Sequence, residues 1–484
     1  MKLSDLLVGF PYKLVQGDPN VSITSLTCDS RSVVPHSVFV ALNGHVTDGH
    51  RHVHDAVKSG ASAVVVEHSP EISTSSSVVK VENSRIALAN MASKYFDNPA
   101  NRLKIIGITG TNGKTSVSFL VRHILQQAGY RCGLMGTVEY DLGDRVMPAI
   151  RTTPQSIDIY RYLNLMVKGG CSHAVMEVSS HALLQYRVHG LRFDTVAFTN
   201  LTQDHLDYHG DMESYFRAKR KLFESSASSG VITNIDDHYG MRIAEDFEAI
   251  TVGHCDTAQL KIESTDLNQK GSSFLFHGLE FKIPLIGRHS VINTAMAIAI
   301  SHKAADISLD QCRLSLMNMK PVPGRLEAIE EKQPFGVFID YAHTEDALEH
   351  VLSALREITR EKLHVVFGCG GNRDKGKRIK MGRVAGELAD LVTITTDNPR
   401  NENPLVIAKQ IADGCSEIKK NGWCIELDRA HAIDKVMRSA MPGDTVLIAG
   451  KGHETYQEFD ESVIPFDDRD QARTALRAMK AGKL

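Results

Sequence analysis

A glycine-rich run, GITGTNGKTS at residues 107–116, fixes more of the architecture than any other stretch of the chain. It follows KIIGIT, which reads as a buried strand. After it, Val117, Leu120, Val121, Ile124, Leu125 and Ala128 recur at helical spacing up to Gly129. Strand, glycine loop, Lys-Thr and helix in that order form the context a phosphate-binding loop requires. Glycines let backbone N–H groups close round phosphate oxygens at a helix N-terminus. Lys114 is then expected to reach the β- and γ-phosphates of a nucleotide, and the Thr115 hydroxyl to ligate magnesium. The general pattern G-x-x-x-x-G-K-T puts its first glycine where this chain has Ile108, so the loop is a variant of that pattern. A glycine turn that binds no phosphate is the alternative, and the motif alone does not say what the phosphate is used for.

Strand-like and amphipathic helical segments alternate from end to end, which argues for α/β layers with mainly parallel sheets. A chain of 484 residues is too long for one core and suggests about three domains. Two punctuation points divide it. The helical RIALANMASKYF ends at Asn98-Pro99 just before KIIGIT, and PVPGR at 321–325 stops the helical INTAMAIAIS region. Domains are therefore expected at 1–98, 99–323 and 324–484, with the Ser-rich SPEISTSSS a loop inside the first. In the third, FGVFIDYAH, LHVVFGCGG, LVTITTDNP, WCIELD and DTVLIAGKG read as strands, each followed by a helical stretch. That is a Rossmann-like doubly wound sheet, whose ligands gather at the carboxyl ends of strands. The segment TTDNPR, with Arg400, lies at one such end.

Composition excludes several functions. The chain is 42% hydrophobic and 23% charged with a net charge of -3, so no basic excess exists to hold a phosphate backbone, and nucleic acid is not an expected partner. No apolar stretch approaches the roughly 18 residues a membrane span needs, and MKLSDLLVGF is interrupted by Asp5 and has no cleavage pattern. A cytoplasmic protein without membrane insertion is expected. The eight cysteines form no C-x-x-C pair, which implies neither disulfides nor structural zinc. Histidines 50, 52 and 54 fall in a helical pattern that spreads them round the axis, and are read as solvated surface.

The variant loop G-x-x-G-T-N-G-K-T resembles that of the Mur ligases, the ATP-dependent ligases that build the peptide of peptidoglycan precursors. Further matches run in order along the chain: TCDSRSVVPHSVFVAL and TDGHRHVHDAVKSGA; TTPQS, MEVSSHALLQYRV, FTNLTQDHLDYHG and YFRAKRKLF; PVPGRLE, DYAHTEDAL, GCGGNRDKGKR, DNPR and AGKGHETYQ. The resemblance implies three domains: a UDP-sugar-binding domain, a central P-loop ATPase domain and a C-terminal Rossmann-like amino-acid-binding domain. It also implies addition of a third amino acid to UDP-N-acetylmuramoyl-L-alanyl-D-glutamate, with ATP as co-substrate, magnesium as cofactor and a monomer as the working form. DNPR is the pattern associated with meso-diaminopimelate. Alternatives are the same ligation with L-lysine, or a folylpolyglutamate synthetase-like ligase.

An acid–amine ligase activates its acid as an acyl phosphate, which demands charge neutralisation and positioning. Glu177 and His205, each just past a strand-like run, suit magnesium ligands beside Thr115; a strand-end acid and a loop histidine are the plainer readings. Lys219 has the sequence of an ordinary helix surface, but matches the family lysine that becomes N-carboxylated and so turns into an anionic magnesium ligand. Catalysis is thus expected from Lys114, Glu177, His205 and Lys219, and metal binding from Thr115, Glu177, His205 and carboxylated Lys219. The family likeness implies nucleotide contacts at Gly110, Thr111, Asn112, Gly113, Lys114, Thr115, Ser116, Asn293 and Arg325. It implies contacts to the UDP-muramoyl dipeptide at Ser30, Thr152, Thr153, Ser179, Gln185 and Arg187. It assigns the amino acid to Arg373, Asp397, Asn398, Pro399, Arg400, Gly450 and Glu454. Diaminopimelate differs from lysine by a far carboxylate, for which the two parallel donors of Arg400 are suited. Two positions depart from the family pattern, Glu345 where proline is usual and Ile379 in KRIKM, and both flank proposed ligand loops; Asp340, His343 and Arg373 are retained.

Overall fold

The computed structural model describes residues 1–44, 47–68, 74–224, 230–268 and 270–481, so residues 69–73 of the Ser-rich stretch lie outside it. It divides into two compact units, Met1–Thr251 with Met296–Ser308, and Val252–Ala295 with Leu309–Leu484.

The first unit holds two sheets. In the N-terminal one the strands run Lys13–Gln16, Ser77–Lys80, Ala61–Val66, Ser37–Val40, Ser25–Thr27, all parallel except the first. Helix Ser84–Tyr95 follows, capped by Asn83, whose side chain accepts from the N–H groups of Arg85 and Ile86. Asn98 then takes a left-handed φ of 46°, which ends the segment where the Asn-Pro signal falls. The core is continuous past this point: Ala87, Leu88 and Met91 share one buried cluster with Ile159, Leu163 and Met166 of helix Ser156–Lys168.

The second sheet carries the phosphate loop. The part of it that surrounds the loop runs Gly230–Asn234, Thr195–Phe198, Lys104–Thr109, His173–Glu177, Cys132–Met135, all parallel, with Glu139–Asp141 and Val146–Pro148 added antiparallel. Lys104–Thr109 is buried beyond its first residue, as its apolar sequence requires. The register sets Glu177 opposite Ile108 and Phe198 opposite Thr109, so the carboxyl ends of three strands meet at the loop.

In the second unit a six-stranded sheet runs Glu327–Ala328, Gly336–Asp340, Thr445–Ala449, Leu363–Phe367, Leu391–Ile394, Trp423–Ile425, parallel but for the first. Helices Glu345–Ile358, Gly376–Leu388 and Pro404–Ile418 pack into one buried cluster, and Arg429–Ser439 and Asp468–Ala481 into another. This is the doubly wound arrangement expected, with one difference. The segment after AGKG first forms a hairpin, Tyr456–Phe459 with Ser462–Pro465, before the last helix begins. Its β-forming Tyr, Phe, Val and Ile and the left-handed Asp460 at the turn account for it.

Glu345 leaves its surroundings regular. It occupies the first position of helix Glu345–Ile358, where proline and acids are both favoured, Thr344 caps the helix, and Glu345 pairs with Lys380 at 3.3 Å. Ile379 lies within helix Gly376–Leu388. Among the described residues no helix is long and apolar enough to cross a membrane.

Candidate active site

Helix Lys114–Gln127 starts directly after Gly113, which takes φ +85°, and the loop before it is pinned by its neighbours. The N–H of Asn112 donates to Asn200 Oδ1 at 2.9 Å, Thr199 Oγ1 donates to the Asn112 carbonyl at 2.6 Å, and Thr111 Oγ1 reaches Tyr215 OH at 3.3 Å. A Cβ at Gly110 would clash with Thr199, so glycine is required there. Lys114 Nζ donates to the carbonyls of Gly110 and Thr111 at 3.0 and 2.8 Å. Ser116 is half-buried in the first turn.

Thr115 Oγ1 donates to Glu177 Oε2 at 3.0 Å, and Glu177 is fully buried. The same carboxylate accepts from Thr137 N and Oγ1, both at 2.9 Å. Thr137 was not singled out in the sequence; nothing local marks it, because its partner lies forty residues away on another strand.

Lys219 corrects the surface reading of its helix. It is 1% exposed, its Nζ donates to the Gly110 carbonyl at 2.6 Å, and it sits 4.5 Å from the centroid of the Tyr215 ring. Tyr215, Phe216, Leu222 and Phe223 are buried on the same helix, and Lys219 falls on their stripe. Burial, with the Lys114 ammonium nearby, lowers its pKa well below the lysine range. His205 takes a left-handed φ of 53° and packs edge-on against His181 at 4.9 Å. Partial burial holds it toward neutrality; Lys114 and Lys219 add to this and Asp204 opposes it.

The residues expected to hold the UDP-linked substrate form one hydrogen-bonded set. Thr152 Oγ1 lies 3.1 Å from Thr137 Oγ1, Thr153 Oγ1 donates to the Glu177 carbonyl at 2.8 Å, and Ser179 N donates to Thr153 Oγ1 at 3.0 Å. Arg187 spans the Thr153 carbonyl and Gln185 Oε1, both at 2.8 Å. Burial, with Arg151 and Arg85 nearby, brings its pKa down to about 10. Ser30 stands apart, at the start of the turn Ser30–Ser32 that Asp29 caps. His50 is not solvated surface: its ring is held between Asp48 and the N–H of Glu67, at 2.7 and 2.9 Å, and stacks on His68. Among the described residues no His, Cys, Asp and Glu side chains group as a metal site by themselves.

In the second unit, Asn293 is buried in helix Arg288–Ala305, and the Arg325 guanidinium lies 4.9 Å from the Tyr341 ring centroid, next to buried Asp340. The strand ends gather Asp397, Asn398, Gly450 and Glu454. A Cβ at Gly450 would lie 2.6 Å from Asp397 Oδ2, and Asn398 Nδ2 donates to Glu454 Oε2 at 2.9 Å. Arg400, after Pro399, takes φ +50°. Its Nε pairs with Glu458 at 2.8 Å and its Nη1 donates to the Gly371 carbonyl at 2.9 Å, while Nη2 has no hydrogen bond among the described residues. The guanidinium is thus held on two sides, through Nε and Nη1. Arg373 is exposed on the neighbouring loop. Arg378, fully buried, doubly bonds Glu402 at 2.9 Å and so ties that loop to the Arg400 turn. Lys451, also fully buried between Asn398 and Glu454, was missed although it stands inside the AGKGHE motif.

Comparison with known proteins accords with this geometry. Three family profiles match in chain order: the catalytic domain of the Mur ligase family at residues 22–107, the Mur ligase middle domain at 108–301, and the Mur ligase glutamate ligase domain at 324–452. A UDP-N-acetylmuramoyl-L-alanyl-D-glutamate-2,6-diaminopimelate ligase of Clostridium acetobutylicum is 41% identical over 97% of this chain and 98% of its own. The protein of that name from Caldanaerobacter subterraneus subsp. tengcongensis is 42% identical over 98% of this chain and 99% of its own. A solved structure of a ligase with that name superposes with a TM-score of 0.71 at 30% identity, covering 99% of both chains.

Proposed function

The chain belongs to the Mur ligase family, and from that premise we propose that it joins meso-diaminopimelate to UDP-N-acetylmuramoyl-L-alanyl-D-glutamate at the expense of ATP, in peptidoglycan precursor synthesis. A carboxylate oxygen of the D-glutamyl residue attacks the γ-phosphorus of ATP, ADP leaves, and an acyl phosphate forms. The amine of diaminopimelate then attacks the acyl carbon, phosphate departs with the bonding pair, and the nitrogen loses a proton. Residues 110–116 cradle the phosphates, and Lys114 exchanges its carbonyl partners for phosphate oxygens. Asn293 and Arg325 are assigned to the nucleotide. Ser30, Thr152, Thr153, Ser179, Gln185 and Arg187 are assigned to the UDP-muramoyl dipeptide.

The donor set fits magnesium. Thr115 Oγ1 and Glu177 Oε2 are buried hard oxygens 3.0 Å apart. An ammonium at Lys219 would repel the ion, but a lysine whose pKa is lowered offers the neutral amine that carbon dioxide carboxylates. Thr115, Glu177, His205 and carboxylated Lys219 would hold the metal, which when bound supplies positive charge against the transferring phosphoryl group. We take a cytoplasmic monomer as the working form, with domains bounded near residues 98 and 323.

One observation carries the choice of amino acid: Arg400 is fixed at a strand's carboxyl end through Nε and Nη1, with no hydrogen bond at Nη2 among the described residues, in a chain alike over nearly its full length to diaminopimelate ligases. The remaining Nη2 donor fits the far carboxylate that lysine lacks. The test is a turnover panel with the UDP-dipeptide, ATP and several amino acids. Phosphate release is expected only when acid and amine are both present, and far faster with diaminopimelate than with lysine. Turnover without an amine, equal use of lysine, or activity with pteroylglutamate would overturn the assignment.

A further inference from the structure

Lys451 is 0% exposed and makes two hydrogen bonds: its Nζ donates to Asn398 Oδ1 at 3.0 Å and to Glu454 Oε2 at 2.9 Å. Asn398 Oδ1 also accepts from the N–H of Glu458 at 3.0 Å. Two donors on one side of the amide fix its orientation, and its Nδ2 is left to face Glu454 Oε2, to which it donates at 2.9 Å. Oε2 of Glu454 is therefore doubly satisfied, while Oε1 carries no hydrogen bond among the described residues. The charges are just as informative. Asp397, 7% exposed, adjoins the group and accepts from Asn398 N at 2.6 Å. The nearby Arg429 is neutralised by a doubly bonded, fully buried pair with Asp468, and Arg400 is paired with Glu458. Two carboxylates and one ammonium remain, which leaves one negative charge uncompensated in a buried setting, an arrangement favourable to one entering cation.

We propose that Lys451 is a positioning residue of the amino-acid site: it locks Asn398 and one oxygen of Glu454, and so presents the other oxygen, Oε1, to the ammonium of the incoming amino acid. This rests on the ligase reading above. Without the Lys451 charge, Glu454 is buried beside Asp397 with no cation bonded to it, Arg429 being paired with Asp468; its ionised form is further disfavoured, and the amide of Asn398 is free to turn over. The amino acid then meets a neutral, misaligned acid.

The experiment measures steady-state constants for Lys451→Met, Glu454→Gln and the double variant, with thermal melting to establish folding. Lys451→Met is expected to raise the KM for diaminopimelate about ten-fold or more, with the KM values for ATP and the UDP-dipeptide unchanged. The double variant is expected to lose clearly less than the two single changes combined, because Lys451 acts largely through Glu454. A diaminopimelate KM within about two-fold of the parent's in folded Lys451→Met, or additive losses in the double variant, overturns the proposal. If Lys451→Met does not fold, Lys451→Gln, which keeps one donor for Asn398 and removes the charge, is read by the same criteria. Failure of the unmodified enzyme to turn over ATP with both substrates would instead bring down the ligase reading, independently of Lys451.

Discussion

Two lysines converge on one carbonyl, that of Gly110, with Lys114 Nζ at 3.0 Å and Lys219 Nζ at 2.6 Å. Their fates differ because Lys114 is half-buried at a loop mouth while Lys219 is sealed in apolar surroundings. Lys114→Ala keeps the glycines and removes the charge opposing the γ-phosphate, so acyl-phosphate formation, trapped with hydroxylamine, should fall at least about 100-fold in a protein that still folds. Near-normal trapping would exclude this loop as the ATP site. For Lys219, Lys219→Ala should lose activity and regain part of it with added short carboxylates, which occupy the vacated space as anionic ligands. Mild-condition mass spectrometry finding only the unmodified side chain would count against carboxylation. At the amino-acid end, Arg400→Ala removes a charge-assisted contact worth roughly 1.5–3 kcal/mol, a ten- to hundred-fold rise in the diaminopimelate KM. The KM values for ATP and the UDP-dipeptide should barely move. A lysine rate that falls in parallel would mean that Arg400 shapes the loop, through Glu458 and Gly371, rather than reading the far carboxylate.

Elements differ in how far their sequence betrays them. The phosphate loop was legible because strand, glycines, Lys-Thr and helix are contiguous, and local chemistry suffices. The parallel strands of the second unit were legible for a similar reason: a strand buried on both faces must be an unbroken apolar run. Lys219 was misread from its residues because a basic cluster on a helix suggests solvent, although its position at i+4 from Tyr215 already put it on the buried stripe. Thr137 and Lys451 were illegible because their roles arise where separate strand ends meet. The PVPGR turn makes the point testable. Gly324 has φ +65°, and a Cβ there would clash with the backbone of Gly452 and His453, so the turn is locked against the AGKGH loop by the absence of a side chain. Gly324→Ala should therefore lower stability by about 1–3 kcal/mol in urea unfolding, beyond what left-handed strain alone would cost. An unchanged midpoint would mean that the loop yields freely.

Over the whole molecule, protonation is distributed unevenly between the folded and unfolded chains, and histidines in both units contribute. His173 in the first unit is held down to about 4 by burial and by Lys104; in the second, burial with His350 does the same to His289, and burial with Arg325 and Arg469 to His453. An unfolded histidine takes up its proton near pH 6.5. The unfolded chain thus binds more protons than the folded one between about pH 4 and 6.5, and the neutral histidines contribute stability that is complete above about 6.5 and is lost as pH falls toward 4. Carboxylates held low, such as Glu402 at about 2 through its bonds from Arg378 and Asn372 N–H, act only below about pH 4.5 and leave this window alone. Buried acids pushed upward, Asp340 and Glu454 among them, work in the opposite sense, so the net slope of one protein does not isolate the histidines. A difference between two proteins does. His173 is 2% exposed and its Nε2 has no partner among the described residues, so His173→Gln removes one titrating group with little else at stake in the charge balance. Measured by urea unfolding at pH 7 and pH 5, the variant should gain on the parent by on the order of 1–2 kcal/mol as pH falls, whatever its offset at pH 7. A stability difference that stays constant between the two pH values would mean that His173 is protonated in the fold as readily as in the unfolded chain.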